Sequence, residues 1–237
     1  MDNLCAKSSD FFEWLSDWLD ALPAARMDDL VGEAGGPEHV GVFSTDMING
    51  FCRFGPLASE RVGGIVAPVV ALFRRAHAAG VRDFVLPQDA HPADSPEFDA
   101  YGPHCVAGTP EAEMVPELAG LPFAELFRII PKTTLHPAIG TEFDAWLDRR
   151  GVPAVMIAVG NCTDLCVYQL AMHLKVRADL AGRRRAVIVP ADCVQTYDVS
   201  VEQARQAGIT PHPGDLLHAL FLYHLHLNGV RVVRSIE

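Results

Sequence analysis

From Val40 onward the chain alternates short runs rich in β-branched and aromatic residues with longer helical stretches, and this alternation restricts the fold more than any other feature. We read strands at 40–45, 82–87, 126–131, 154–159 and 186–191, separated by helices at 59–79, 111–118, 141–150 and 163–177. Helices at 199–207 and 213–227 then lead to a last strand at 230–236. A strand that returns parallel to its neighbour through a helix does so by a right-handed crossover. The pattern therefore predicts an α/β fold in three layers, a mostly parallel sheet flanked by helices on both faces. Such sheets bind ligands outside the carboxyl ends of their strands. The chemistry of this chain is to be sought where its strands end.

Ahead of that body, Phe11, Phe12, Trp14, Leu15, Trp18, Leu19 and Leu22 fall on helical spacing over 8–22, with Ser8 or Ser9 as cap and Pro23 as stop. The polar face holds Asp10, Glu13, Asp17 and Asp20, so this helix is expected to pack on the main body or a neighbouring subunit rather than on an anionic membrane. Residues 32–39 read as a linker. With 237 residues, 49% of them hydrophobic, the chain can bury one full core. A formal net charge of −11 argues against nucleic acid and anionic membrane partners, which need clustered cations. The one basic run, Arg183-Arg184-Arg185, reads as a solvated turn. Six cysteines are few for this length and no secretory signal accompanies them, so reduced thiols in a cytoplasm are expected. No run approaches the roughly 18 apolar residues of a membrane span. There is no internal repeat, and Gly63-Gly64 lies in a helical stretch that fits no phosphate loop.

Three expected strand ends carry reactive side chains. Cys166 follows the apolar run 154–159 at the start of a helix, where exposed N–H groups and the helix dipole lower a thiol pKa and stabilise an oxyanion. Asp46 follows the first strand and Lys132 the third. Lys132, held cationic beside Asp46 and Cys166, is expected to lower both of their pKa values. A second set is Asp89-Ala90-His91 after the 82–87 strand, with His104 thirteen residues beyond His91. An Asp and a His one residue apart at a strand end point the same way and suit a shared ion; His104 and Glu97 complete the candidate ligand set. Taken singly, each of these residues has an ordinary structural role, such as a turn cap, a surface histidine or a buried small thiol like Cys162 or Cys193. Their convergence at one sheet edge is what favours chemistry.

The quoted residues resemble the isochorismatase-like cysteine hydrolases, and within them the nicotinamidases. Asp46-Met47-Ile48-Asn49-Gly50-Phe51 resembles the motif of the catalytic aspartate, Lys132 falls where the catalytic lysine stands, and Gly160-Asn161-Cys162-Thr163-Asp164-Leu165-Cys166-Val167 resembles the nucleophile motif. Asp89-Ala90-His91 and Pro103-His104-Cys105-Val106-Ala107-Gly108-Thr109 resemble the nicotinamidase metal site. The tail, through His212-Pro213 to Ser235-Ile236, is most similar to the plant-type branch. The likeness covers about Val40 to Ile236, leaving an N-terminal helical extension and linker at 1–39 and a hydrolase domain at 40–237.

The resemblance implies amide hydrolysis, nicotinamide to nicotinate and ammonia, by a triad of Asp46, Lys132 and Cys166. The backbone N–H groups of Cys162 and Cys166 would form the oxyanion hole, with a cis peptide at Asn161–Cys162. One divalent metal, zinc, or else manganese or iron, would be held by Asp89, His91, His104 and Glu97. Phe51 and Tyr101 would flank the substrate ring. The expected partners are a small-molecule amide and further copies of the chain as a homo-oligomer. Gly50 and Tyr101 depart from relatives that carry an acidic residue and a Trp there. Two alternatives stay open: a related cysteine hydrolase acting on another small amide, a carbamoyl compound or isochorismate, and a noncatalytic scaffold using the N-terminal helix.

Overall fold

The structure, a computed structural model, describes residues 4–182 and 185–237, so Arg183 and Arg184 of the basic run lie outside the described residues. Seven strands form one sheet: β1 Val40–Thr45, β2 Asp83–Asp89, β3 Phe127–Lys132, β4 Val155–Asn161, β5 Ala186–Pro190, β6 Val194–Gln195 and β7 Arg231–Val233. Their order is β3-β2-β1-β4-β5-β7, with β6 pairing β4, and every pairing is parallel. The order reverses direction at β1 and β4, the position at which open parallel sheets bind ligands.

The helices are α1 Leu4–Asp20, α2 Met27–Ala34, α3 Asn49–Cys52, α4 Glu60–Gly63, α5 Val66–Ala78, α6 Phe98–Tyr101, α7 Pro116–Ala119, α8 Phe143–Arg150, α9 Cys166–Leu180, α10 Val201–Ala207 and α11 Gly214–Leu227. Successive side chains of a strand point to opposite faces, and the core divides accordingly. Val42, Leu86, Ile157 and Val159 pack with Val69 and Phe73 of α5 on one face. Phe43, Val85 and Ala158 pack with Phe143 and Trp146 of α8, Leu170 and Leu174 of α9 and Leu222 of α11 on the other. Each such large side chain contributes about 1.5–3 kcal/mol by leaving water, and the two clusters make the three layers.

Several elements differ from the sequence reading. The helix expected at 59–79 is two, α4 and α5, because a Cβ on Gly63 would meet the Cys52 carbonyl oxygen at 2.7 Å and the glycines weaken the helix where it must turn. The one expected at 111–118 is a 3₁₀ turn at Pro110–Ala112 followed by α7. Pro116 lacks an N–H and so opens a helix rather than continuing one, while Ile48 bridges Met114 and holds the intervening chain extended. The linker expected from residue 32 starts later, since α2 runs to Ala34 and ends on the left-handed Gly35. Helix α9 begins at Cys166 rather than 163, and the last strand shrinks to β7.

The aromatic stripe of α1 closes around Tyr223 of α11, with Phe11, Trp14 and Trp18 ring centroids at 5.3, 5.4 and 5.9 Å. Met27 and Leu30 of α2 enter the core beneath α5. No helix among the described residues is long and apolar enough to cross a membrane.

Candidate active site

The centre of the site is set by how closely β1 and β4 approach. Thr45 is in register with Gly160, and a Cβ on Gly160 would lie 2.0 Å from the Thr45 carbonyl oxygen; the residue also has φ 114°, so only glycine fits. One residue further along each strand, Asn161 Nδ2 donates to the Asp46 carbonyl at 2.6 Å. Asp46 itself takes φ 57°, a left-handed conformation that Asp tolerates better than most residues. Its N–H donates to the Pro87 carbonyl at 3.1 Å. The carboxylate is fully buried: Oδ1 accepts the Asp89 N–H and Oδ2 accepts the Thr45 hydroxyl, both at 2.8 Å.

Lys132, the last residue of β3, reaches across β2 and joins every member of the site. Its Nζ lies 2.9 Å from Asp46 Oδ2, 2.5 Å from Asp89 Oδ1 and 3.5 Å from Cys166 Sγ. The Asp46 carboxylate also acts on the Cys166 thiol electrostatically. The Asn161–Cys162 bond is cis. Loop 162–165 then leads to α9, whose first residue is Cys166, so the Cys166 N–H is one of the amides a helix leaves without an internal acceptor.

Electrostatics at the centre run opposite to part of the sequence expectation. Burial would discharge Lys132, but Asp46 and Asp89 outweigh it and push its pKa well above the normal lysine range. Burial, with Asp89 close by, raises Asp46 despite Lys132. Burial also pushes the Cys166 thiol well above the ordinary cysteine range; Lys132 opposes this, and Asp46 and Asp89 reinforce it. The expected lowering of both pKa values therefore does not occur, because burial outweighs one ammonium that is also shared between two carboxylates and the thiol. The resting arrangement is a neutral thiol beside a carboxylate of enhanced basicity, which suits proton transfer at the moment of attack.

The second constellation adjoins the first through Asp89. Its Oδ1 belongs to Lys132, while its Oδ2 lies 3.5 Å from His91 Nε2 and 3.9 Å from His104 Nε2. His91 and His104 are brought side by side because the His91 N–H donates to the Cys105 carbonyl and the Ala107 N–H donates to the His91 carbonyl, at 3.1 and 2.9 Å. His104 Nδ1 faces the Gly102 carbonyl at 2.8 Å, which assigns the proton to Nδ1 and leaves the Nε2 lone pair free. His91 Nδ1 lies 3.4 Å from Ser95 Oγ, and its Nε2 is buried with no hydrogen-bond partner. One carboxylate oxygen and two imidazole nitrogens, all within 4.8 Å of one another, are a donor set for a divalent cation, and the orphaned His91 nitrogen is the atom such an ion would satisfy. Glu97 lies outside this group, half-buried just before α6, though its charge helps to raise the His91 pKa against burial.

Aromatic rings enclose the same space. Phe51 and Tyr101 have ring centroids 5.8 and 6.3 Å from His104, and Phe98, which sequence reasoning passed over, is 5.4 Å from His91 and 5.6 Å from His104. Gly50 has a steric explanation: a Cβ there would meet Cys105 Sγ at 2.5 Å and the Glu111 backbone at 3.2 Å. Thr45 and Ser95 were likewise unmarked beforehand, and Asn161 was marked only for the cis peptide, since a residue that orients a neighbour leaves no spacing signal of its own.

The fold agrees with comparisons to known proteins. Nicotinamidase 1 of Arabidopsis thaliana is 29% identical over 221 residues, covering 84% of this chain and 86% of the relative. Nicotinamidase/pyrazinamidase of Mycobacterium tuberculosis is 29% identical over 175 residues, 69% of this chain and 93% of that protein. The crystal structure of a cysteine hydrolase from Pseudomonas syringae pv. phaseolicola 1448A shares the fold with a TM-score of 0.67 at 20% identity, over 83% of this chain and 89% of that one. The isochorismatase domain profile matches residues 41–214, and the chain belongs to the isochorismatase family.

Proposed function

We propose that this protein is a cysteine amidohydrolase that converts nicotinamide to nicotinate and ammonia. The observation that carries this reading is the reach of Lys132, which touches Asp46, Asp89 and the Cys166 sulfur at once and so joins a thiol–carboxylate pair to an ion-binding cluster. The names of the Arabidopsis and Mycobacterium relatives support the substrate.

In this mechanism Asp46 takes the Cys166 proton as the sulfur attacks the carboxamide carbon, and the carbonyl oxygen becomes an oxyanion facing the Cys162 and Cys166 amides. Lys132 stays charged and balances the negative charge of the two carboxylates. Asp46 returns the proton to the leaving nitrogen, the C–N bond breaks and ammonia departs, leaving a thioester. Water then attacks the thioester carbon, Asp46 accepts its proton, and the thiol is restored with release of the carboxylic acid. Asp89, His91 and His104 would hold one divalent ion, with Glu97 as a fourth ligand; zinc is our choice, and manganese and iron suit the same donors. When bound, such an ion would supply Lewis-acid chemistry toward the ring nitrogen. Phe51 and Tyr101 sandwich the ring. A cytoplasmic homo-oligomer completes the reading.

Ammonia release from nicotinamide, pyrazinamide and benzamide, with metal content measured on the same sample, tests it. We expect turnover of the first two and poor turnover of benzamide, which lacks the ring nitrogen. Comparable rates on benzamide, or protein that stays metal-free after incubation with zinc, manganese and iron, would shift the assignment to another small amide.

A further inference from the structure

One buried hydrogen-bonded pair touches the nucleophile loop and takes no part in the mechanism above. Asp164 stands two residues before Cys166, and its Oδ2 lies 2.8 Å from Nε2 of His212, with side chains only 5% and 12% exposed. His212 arrives from the segment between α10 and α11, where its backbone N–H and carbonyl both pair with Val199 at 2.8 Å. Its Nδ1 lies 2.9 Å from the Tyr197 carbonyl, and its ring stacks on Tyr197 at a centroid distance of 3.7 Å and an angle of 17°.

The partners decide the protons. A carbonyl oxygen and a carboxylate oxygen both accept, whereas a neutral imidazole has one N–H to give. With Nδ1–H given to the Tyr197 carbonyl, the Nε2–Asp164 contact is completed by one further proton that the two groups share, so each ring nitrogen has a fixed partner and the ring is held on both sides. The loop so gripped is the one that aims the reacting groups. Within it the Cys162 carbonyl accepts from the Leu165 and Val167 amides, both at 3.1 Å, and the Thr163 N–H donates to the Gln195 carbonyl at the same distance. Thr163 Oγ1 adds a bond at 2.9 Å to Nδ1 of His218 on α11.

We propose that His212 and Asp164 form a hydrogen-bonded positioning pair that fixes loop 162–166, so that the Cys162 and Cys166 amides and the Cys166 thiol converge on one carbonyl group. Neither residue is assigned contact with substrate. The kinetic part of this proposal rests on the amidohydrolase reading.

The test combines wild-type and variant protein. In wild type, ¹H–¹⁵N NMR of the His212 ring should show Nδ1 protonated and Nε2 hydrogen-bonded to Asp164; an Nε2 without a hydrogen bond overturns the pair. His212→Gln and Asp164→Asn should each lower kcat by ~10- to 100-fold with KM changed less than ~3-fold, as expected for lost alignment rather than lost binding. The double variant should be no slower than the slower single one, because the two residues act as a unit. Losses that multiply, or that fall on KM alone, overturn the proposal. His212→Ala extends the series, and if it fails to fold the Gln variant and the wild-type spectrum still decide. If wild type releases no ammonia from nicotinamide, the substrate reading fails by itself. The pair is then judged by amide exchange at Leu165 and Val167, which should quicken at least ~10-fold in His212→Gln; unchanged exchange overturns it.

Discussion

Lys132→Met is the perturbation whose size follows most directly from the geometry. One ammonium stands between two carboxylates, 2.9 Å from Asp46 and 2.5 Å from Asp89, and the Lys132 and Asp46 side chains are fully shielded from solvent. Together the three groups carry a single negative charge; without Lys132 they carry two in the same volume. Methionine keeps the length of the stem, so the loss is electrostatic rather than a cavity effect. Removing one partner of a buried pair costs about 3–5 kcal/mol, a large share of the ~5–15 kcal/mol that holds a typical domain folded. With a urea slope near ~3 kcal/mol/M for a chain of this size, the unfolding midpoint should fall by about 1 M or more.

The pH dependence of that loss has a definite sign. Without the cation the carboxyl pKa values rise above their unfolded values, so the folded state binds the extra proton. The deficit is then greatest above about pH 7 and shrinks as pH falls toward ~5. Adding Asp46→Asn restores the single negative charge and should recover part of the stability. Urea unfolding of chelator-treated wild type and both variants, followed by circular dichroism, reads all of this. A midpoint within ~0.3 M of wild type, or a double variant less stable than Lys132→Met alone, refutes the reasoning.

Cys166→Ala should abolish ammonia release while the protein stays folded, and Cys162→Ala should retain substantial activity because only the Cys162 amide is used; steady-state kinetics with thermal melts decide between them. Asp46→Asn should cost at least ~10²-fold in kcat/KM by removing the base, and near-wild-type turnover would exclude that role. Because burial holds the Cys166 thiol well above the ordinary cysteine range, its iodoacetamide labelling should be slow near pH 7 and still rising beyond about pH 9.5, a unit above the ~8.5 midpoint of an unperturbed thiol, which is nearly all thiolate there. A plateau below neutral pH would contradict the neutral-thiol ground state. Gly160→Ala should cost at least ~3 kcal/mol, from positive φ together with the overlap on Thr45, whereas Gly140→Ala, which has φ 75° and nothing within 4 Å, should cost only ~1 kcal/mol.

What could be read in advance was what repeats or ends. The β-rich runs and the helices between them follow period and composition, so the parallel sheet was legible, and Asp46, Lys132 and Cys166 stood out as reactive types at strand ends. Helix breaks were not legible where they depend on distant backbone, as at Gly63 against Cys52, nor was β6, whose two residues pair only because β4 lies beside them. Phe98, Asn161 and the Asp164–His212 pair act through contacts between segments far apart in sequence. The pKa of Cys166 ran against expectation for a related reason: its place at a helix start can be read from the sequence, but the complete burial of the thiol, the main cause of the rise, and the carboxylates of Asp46 and Asp89 that reinforce it arise from the packing of separate strands.

The most direct test of covalent catalysis is to quench the enzyme in acid during turnover of nicotinamide and map the peptides by mass spectrometry. The account predicts a nicotinoyl group in thioester linkage on the peptide that carries Cys166, at the sulfur of that residue, and its absence in Cys166→Ala. Turnover with no acyl adduct, or an adduct on Cys162 instead, would contradict it.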